Sequence, residues 1–207
     1  MDTISKRTRP HKNSQQASLL AVFHFHGVDT AFDLQYSKTK HMKDKVRKMV
    51  IRQFEASDID YVISRHLDLY KAEYGFTSEI WKAYVADGVR QLAAGFDPER
   101  DCFYILESCG SPSGCIAIVH REGGSAQLRF FFVEPSLRGQ GAGNSLMNAA
   151  ISFSREKKYA RVFLWTFSEL HTARHLYGKH GFLLTETLEN TEWGEPVLEE
   201  RWDLHLL

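Results

Sequence analysis

Residues 130–143 read Phe-Phe-Phe-Val-Glu-Pro-Ser-Leu-Arg-Gly-Gln-Gly-Ala-Gly, an apolar strand stopped by a proline and followed by three glycines in five residues. No other segment limits the possible folds so sharply. A strand that runs through a glycine-rich turn into a helix leaves bare peptide N–H groups at the helix mouth. Those groups, with the aligned peptide dipoles behind them, favour an anion, and a diphosphate is the natural occupant. Arg138 adds a cation beside them. The turn has no lysine and so is not a Walker loop. It also lacks the Gly-x-Gly-x-x-Gly spacing of a dinucleotide fingerprint, and it follows the fourth predicted strand rather than the first.

Hydrophobic periodicity places this junction inside a longer order of elements. Val50–Phe54 reads as a short strand. Ile59, Val62, Ile63, His66, Leu67, Leu69 and Tyr70 recur at helical spacing after a cap at Ser57 or Asp58, and Gly75 ends that helix. A second helix is predicted from Ser78 to Ala94, with Ile80, Trp81, Tyr84, Val85 and Val89 on its apolar face. Three strands follow as a meander, Cys102–Glu107, Gly114–Arg121 and Ala126–Val133, broken at residues 110–113 and 123–124. Then come a helix over Gly141–Lys157, a strand over Arg161–Trp165, a helix capped by Ser168 and running to Lys179, and strands over Phe182–Glu189 and Val197–Leu206. Strands arriving as a run, with helices inserted late, predict an α+β fold around one mixed, mostly antiparallel sheet of about seven strands and about four helices.

The zero formal net charge of the 207 residues gives no global argument for nucleic acid. Residues 1–48 nevertheless hold ten Lys/Arg against four Asp/Glu. They read as a basic, poorly ordered extension before a domain over 49–207. Cys102, Cys109 and Cys115 have neither zinc-site spacing nor a secretion signal beside them, so reduced thiols and a cytoplasmic location are expected. No stretch is long and apolar enough to suggest a membrane span.

A second segment, Ala173-Arg-His-Leu-Tyr-Gly-Lys-His-Gly-Phe182, follows the glycine turn in order. Together the two resemble the acyl-CoA pyrophosphate loop and the late helix of GNAT acetyltransferases. The likeness covers about residues 49–207. It extends to the GNAT domains fused behind MarR-type regulators through Glu73-Tyr74-Gly75-Phe76, residues 126–129, Leu164-Trp165-Thr166, Trp193-Gly194 and Trp202-Asp203-Leu204. The resemblance implies a sheet splayed at its fourth and fifth strands, with acetyl-CoA as cosubstrate in the cleft and no metal. The backbone of Phe132 and Val133 would bond the pantetheine arm. Arg138, Gly139, Gln140, Gly141, Ala142 and Gly143 would hold the pyrophosphate.

The implied activity is acetyl transfer by direct attack of a primary amine, on a small molecule or a protein. The competing reading is a non-catalytic acyl-CoA-binding regulatory module. Direct attack needs a neutral amine and a proton for the leaving thiolate, and no cysteine nucleophile. Tyr177 matches the family's acid, though a packed core tyrosine is the other meaning of that position. Glu134, at the end of the apolar strand, and Glu73 are candidate bases. Tyr74, Gln127 and Arg129 are candidate acceptor contacts. A charged residue between Leu128 and Phe130 needs a partner, either a structural carboxylate or one carried by the acceptor. Leu170 stands where many relatives carry an asparagine, so a pantetheine contact from that side chain is not expected. The expected partners are acyl-CoA and an amine acceptor, with no nucleic acid and no membrane, and a homodimer is left open.

Overall fold

The computed structural model describes residues 49–194 and 196–206. The basic extension predicted over 1–48 lies outside the described residues. From Met49 on, the predicted element order is observed. Strand β1 (Met49–Gln53) leads to helices α1 (Ile59–Tyr74) and α2 (Glu79–Ala94), then strands β2 (Cys102–Ser108), β3 (Ser111–Arg121) and β4 (Ser125–Val133). Helix α3 (Ala142–Glu156), strand β5 (Arg161–Phe167), helix α4 (His171–Lys179) and strands β6 (Leu183–Asn190) and β7 (Val197–His205) complete the order.

All seven strands share one sheet, ordered β1-β2-β3-β4-β5-β7-β6. Its pairs are antiparallel except β4 with β5, which is parallel. That parallel pairing is short. Ser125, Ala126 and Gln127 pair with Arg161, Val162 and Phe163, and there it stops. Beyond Gln127 the two strands diverge, so residues 128–133 turn one edge of β4 toward a wedge instead of a partner strand.

Each face of the sheet is covered by two helices. Leu146, Met147, Ala150 and Ile151 of α3 and Tyr177 of α4 pack with Ile116, Ile118 and Leu128 on one face. Val62, Ile63 and Leu69 of α1 and Val89 and Leu92 of α2 pack with Phe103, Ile105 and Phe132 on the other. Burying a side chain of this kind contributes roughly 1.5–3 kcal/mol. A third cluster joins Trp81 and Val85 of α2 to Phe167 and Leu170.

Several local expectations shift. The α2 face is narrower than the periodicity implied, because Ile80 is 60% exposed and Tyr84 44% exposed. The break expected over 110–113 contracts to Cys109-Gly110, both at positive φ, so β3 starts at Ser111 and includes Pro112. Two residues at positive φ match the twist of a tight hairpin. Ser168 does not cap α4; Leu170 takes that position without a side-chain bond. Ser78 does cap α2, its Oγ accepting from the Trp81 N–H at 3.1 Å. Such a cap contributes about 1 kcal/mol. The same hydroxyl donates to the Trp193 carbonyl at 2.5 Å and ties the β6–β7 loop to the start of α2.

Candidate active site

Two devices open the wedge. One is the short β4–β5 pairing. The other is a bulge in β4: Cys115 lies opposite Phe132 and Ala117 opposite Arg129, so two β4 residues face Ile116. The odd residue out is Phe130, held at φ 50°. A bulky residue at positive φ is strained by roughly 1–3 kcal/mol and persists only where packing over-determines it. Here the Phe130 ring is buried against α1 and α2, and its carbonyl accepts from the Cys115 thiol at 2.8 Å. A bulge bends its strand and re-aims the side chains beyond it. Cys115 therefore supports the bulge, a structural position consistent with its complete burial.

Beyond the bulge runs a cleft of about 450 Å³. Phe131, Phe132 and Val133 form one wall, Gly139, Gly141 and Gly143 the mouth, and Ala173 and Leu176 of α4 the opposite wall. Gly139 and Gly141 stand at φ 72° and 86° with open space where a Cβ would point, so conformation rather than room selects glycine there. Gly143 is different: a Cβ would lie 3.3 Å from Leu176 Cδ2 and 3.6 Å from Phe131 Cζ. The α3 ladder begins with the Ser145 N–H on the Gly141 carbonyl at 3.0 Å, which leaves the amides of 142–144 without intrahelical acceptors. An unpaired strand edge next to these amides fits an extended amide-bearing chain that ends in a diphosphate.

Of the residues predicted to hold that ligand, Phe132, Val133, Arg138, Gly139, Gly141 and Gly143 line the cleft. Gln140 and Ala142 do not: the Gln140 amide folds back to donate to the Ser136 carbonyl at 2.7 Å, and Ala142 is buried in the α3 core. Arg138 is engaged, its Nε donating to the Val133 carbonyl at 3.0 Å and its Nη1 and Nη2 to Glu73 at 3.0 and 2.7 Å.

A second pocket of about 250 Å³ meets this cleft at Tyr70 and Phe131, which line both. Its walls are aromatic, including Trp81, Tyr84, Phe167 and Trp193. Tyr177, Gln127 and Arg129 line it as well. Tyr177 is buried, and burial pushes its hydroxyl well above the ordinary phenol range, so the group is protonated at neutral pH. The Gln127 Oε1 accepts from Arg121 at 3.2 and 2.8 Å. Arg129 makes no ion pair among the described residues; it donates to the Tyr84 hydroxyl at 3.3 Å and stacks 4.6 Å from the Phe130 ring centroid.

The other predicted residues stand elsewhere. Tyr74 lines the glycine-mouthed cleft and an adjoining groove, not the aromatic pocket. Glu134 lines neither space. Its carboxylate takes Arg65 Nε and Nη2 at 2.6 and 2.7 Å and the Tyr61 hydroxyl at 3.3 Å. The hydrogen bond from Arg65 holds the Glu134 carboxyl below its usual range. Glu73 borders the cleft but is paired with Arg138.

The sequence reading did not single out Glu199 of β7, the one carboxylate among the pocket's lining residues. Its Oε1 accepts from Asn190 Nδ2 at 3.0 Å and from Trp193 Nε1. His66 and Trp81, expected on the apolar faces of their helices, are buried and line this pocket as well. Burial, and then the nearby Arg129, lower the His66 imidazole to about 4, which leaves it neutral at pH 7. Among the described residues no helix is long and apolar enough to cross a membrane.

Comparison with known proteins agrees with this geometry. An acetyltransferase of the GNAT family from Staphylococcus aureus Mu50 superposes with a TM-score of 0.65 at 15% identity, covering 77% of this chain and 100% of that one. A ribosomal-protein-alanine N-acetyltransferase from Brucella melitensis gives 0.62 at 19% identity, covering 76% and 99%. At these identities the likeness establishes the fold. An uncharacterised N-acetyltransferase of Methanocaldococcus jannaschii is 25% identical over 147 residues, which span 66% of this chain and 62% of that protein. The model of the acetyltransferase (GNAT) family matches residues 65–182, more than half of the sequence, and the chain belongs to that family.

Proposed function

We propose that this protein transfers an acetyl group from acetyl-CoA to a primary amine by direct attack. The observation that carries the reading is the unpaired edge of β4 over residues 128–133 beside the free amides of α3. The first suits a pantetheine arm bonded through Phe132 and Val133; the second suits its diphosphate. Acetyl-CoA supplies an activated thioester carbonyl. The chain's residues orient it, admit the amine and move two protons.

In this reading the amine enters through the aromatic pocket and reaches the thioester where the two spaces meet, at Tyr70 and Phe131. The nitrogen–carbon bond forms and the carbon–sulfur bond breaks. Tyr177 gives its hydroxyl proton to the departing thiolate, a role its protonated state supports. Glu199 takes the proton released by the amine, because Glu134 and Glu73 are engaged with arginines and stand outside the pocket. Glu73 instead holds Arg138 until a diphosphate replaces it. The motif likeness to domains fused with MarR-type regulators and a cytoplasmic location belong to the same reading.

The experiment is a melting curve with and without acetyl-CoA, followed by thiol release over a panel of amines. A clear rise in Tm and turnover with at least one amine are expected. Absence of any Tm rise at saturating acetyl-CoA overturns the reading.

A further inference from the structure

The aromatic pocket has polar groups that nothing in the protein answers. Among the described residues three buried side-chain atoms lack a hydrogen-bond partner: His66 Nδ1, Trp81 Nε1 and Thr166 Oγ1. All three residues line this one pocket and are more than nine-tenths buried. Thr166 is the weakest case, since the Tyr177 hydroxyl stands close enough to interact with it. Trp81 is unambiguous. An indole N–H only donates, and leaving it unpaired in a buried site costs about 1–3 kcal/mol.

Arg129 presents the same demand with a charge. Arg129 lines the pocket, and its guanidinium pairs with no carboxylate among the described residues but is held by one hydroxyl and two ring faces, those of Tyr84 and Phe130. The fold makes room for it. Gly88 sits in the middle of α2, where glycine costs about 1 kcal/mol relative to alanine. A Cβ at Gly88 would lie 2.9 Å from Arg129 Nη2 and 3.1 Å from Phe130 Cζ. The helix thus carries glycine where the Phe130 ring and the end of the Arg129 side chain pack against it. Glu199 is not the missing partner: no ion pair joins it to Arg129, and the two bonds it accepts, from Trp193 and Asn190, both fall on Oε1.

We infer that the acceptor is an amino acid with an apolar or aromatic side chain, whose carboxylate is held by Arg129 and whose side chain lies against the aromatic walls. A planar carboxylate matches the guanidinium fork. The Trp81 N–H is a further unanswered donor on a residue of the same pocket. A pocket of about 250 Å³ that sets polar groups among aromatic walls suits a small molecule. An amine at the end of a protein chain carries no α-carboxylate, so the group beside it leaves Arg129 unanswered. The inference rests on the acetyl-transfer reading for the fate of the amine, but anchoring of the carboxylate is testable by binding alone.

The test follows Tm of the wild-type protein in saturating CoA while L-phenylalanine, L-leucine, phenethylamine or 1-amino-2-phenylethylphosphonate is added, and repeats the series with Arg129→Gln. At least one of the amino acids is expected to raise Tm at concentrations tenfold or more below phenethylamine. Arg129→Gln is expected to erase that preference while keeping its own unliganded Tm and its response to CoA. Equal action of L-phenylalanine and phenethylamine, no response to either amino acid, a response to the phosphonate only, or an undiminished preference in Arg129→Gln each overturn the carboxylate anchor. Mass spectrometry of N-acetyl product in parallel mixtures with acetyl-CoA in place of CoA separates the two claims. Binding without product leaves the anchor standing and removes the transferase reading; acetylation of phenethylamine in preference to either amino acid does the reverse.

Discussion

Arg138 reaches from the glycine turn to Glu73 at the end of α1, closing two hydrogen bonds of 3.0 and 2.7 Å beside the cleft proposed to take the diphosphate. The pair is partly exposed and by itself contributes little to stability. Its consequence is for binding, because a guanidinium held by a carboxylate must be released to hold a phosphate. Glu73→Gln removes that competitor. It is expected to tighten CoA binding several-fold and leave kcat within about twofold, as a lost surface ion pair is worth only ~1 kcal/mol or less. Arg138→Ala is expected to weaken CoA about tenfold or more, most visibly at low salt. Titration calorimetry at two salt concentrations reads both. A fall of kcat in Glu73→Gln by two orders of magnitude would return the base role to Glu73.

Gly141 distinguishes conformation from charge. Its φ of 86° suits glycine, tolerates asparagine and opposes other side chains, while a Cβ there meets open space. Gly141→Asn is expected to keep the fold and much of the CoA-induced rise in Tm. Gly141→Glu places a negative charge at the anion site and is expected to abolish that rise. Equal responses in the two variants would remove the diphosphate from this turn.

Tyr177 and Glu199 are separable by pH. Tyr177→Phe keeps the ring that packs against Phe131 and Phe182 and removes only the proton donor. Its kcat is expected to fall about 10²-fold or more with CoA affinity unchanged.

Glu199→Gln keeps an acceptor for Asn190 and Trp193 while abolishing the charge. It is expected to lower kcat by about 10²-fold and to regain activity as alkali supplies neutral amine. A pH profile parallel to that of the wild type would exclude Glu199 as the base.

His66 makes stability depend on pH. Burial lowers its folded value from 6.5 to about 4, so the unfolded chain binds the proton first as pH falls. Its contribution is complete above about pH 6.5 and is lost progressively toward pH 4, on the order of 3 kcal/mol in all. The groups facing it are Tyr70, Trp81, Phe130 and Phe132, with Arg129 adding repulsion to the protonated form. Denaturant titrations at pH 7 and pH 5 are expected to show the first part of this loss, roughly 2 kcal/mol, in the wild type and a flatter profile in His66→Phe.

The sequence by itself determined what is local in this protein. Hydrophobic periodicity located the elements from β1 to β7 in their order, because each buries one face whose spacing is written in neighbouring residues. The turn at 138–143 was legible for the same reason: its glycines, the proline before it and the helix after it are contiguous. Only the tertiary structure decided which polar groups are already committed. Glu134 read as a candidate base until Arg65, on α1, was found holding it. Glu199 read as one more strand glutamate until α2 and the β6–β7 loop enclosed it among aromatic rings. Arg129 read equally well as structural or functional, and only the tertiary structure shows that no carboxylate among the described residues pairs with it. Availability of a charged side chain depends on partners tens of residues away in the chain, and no periodicity records them.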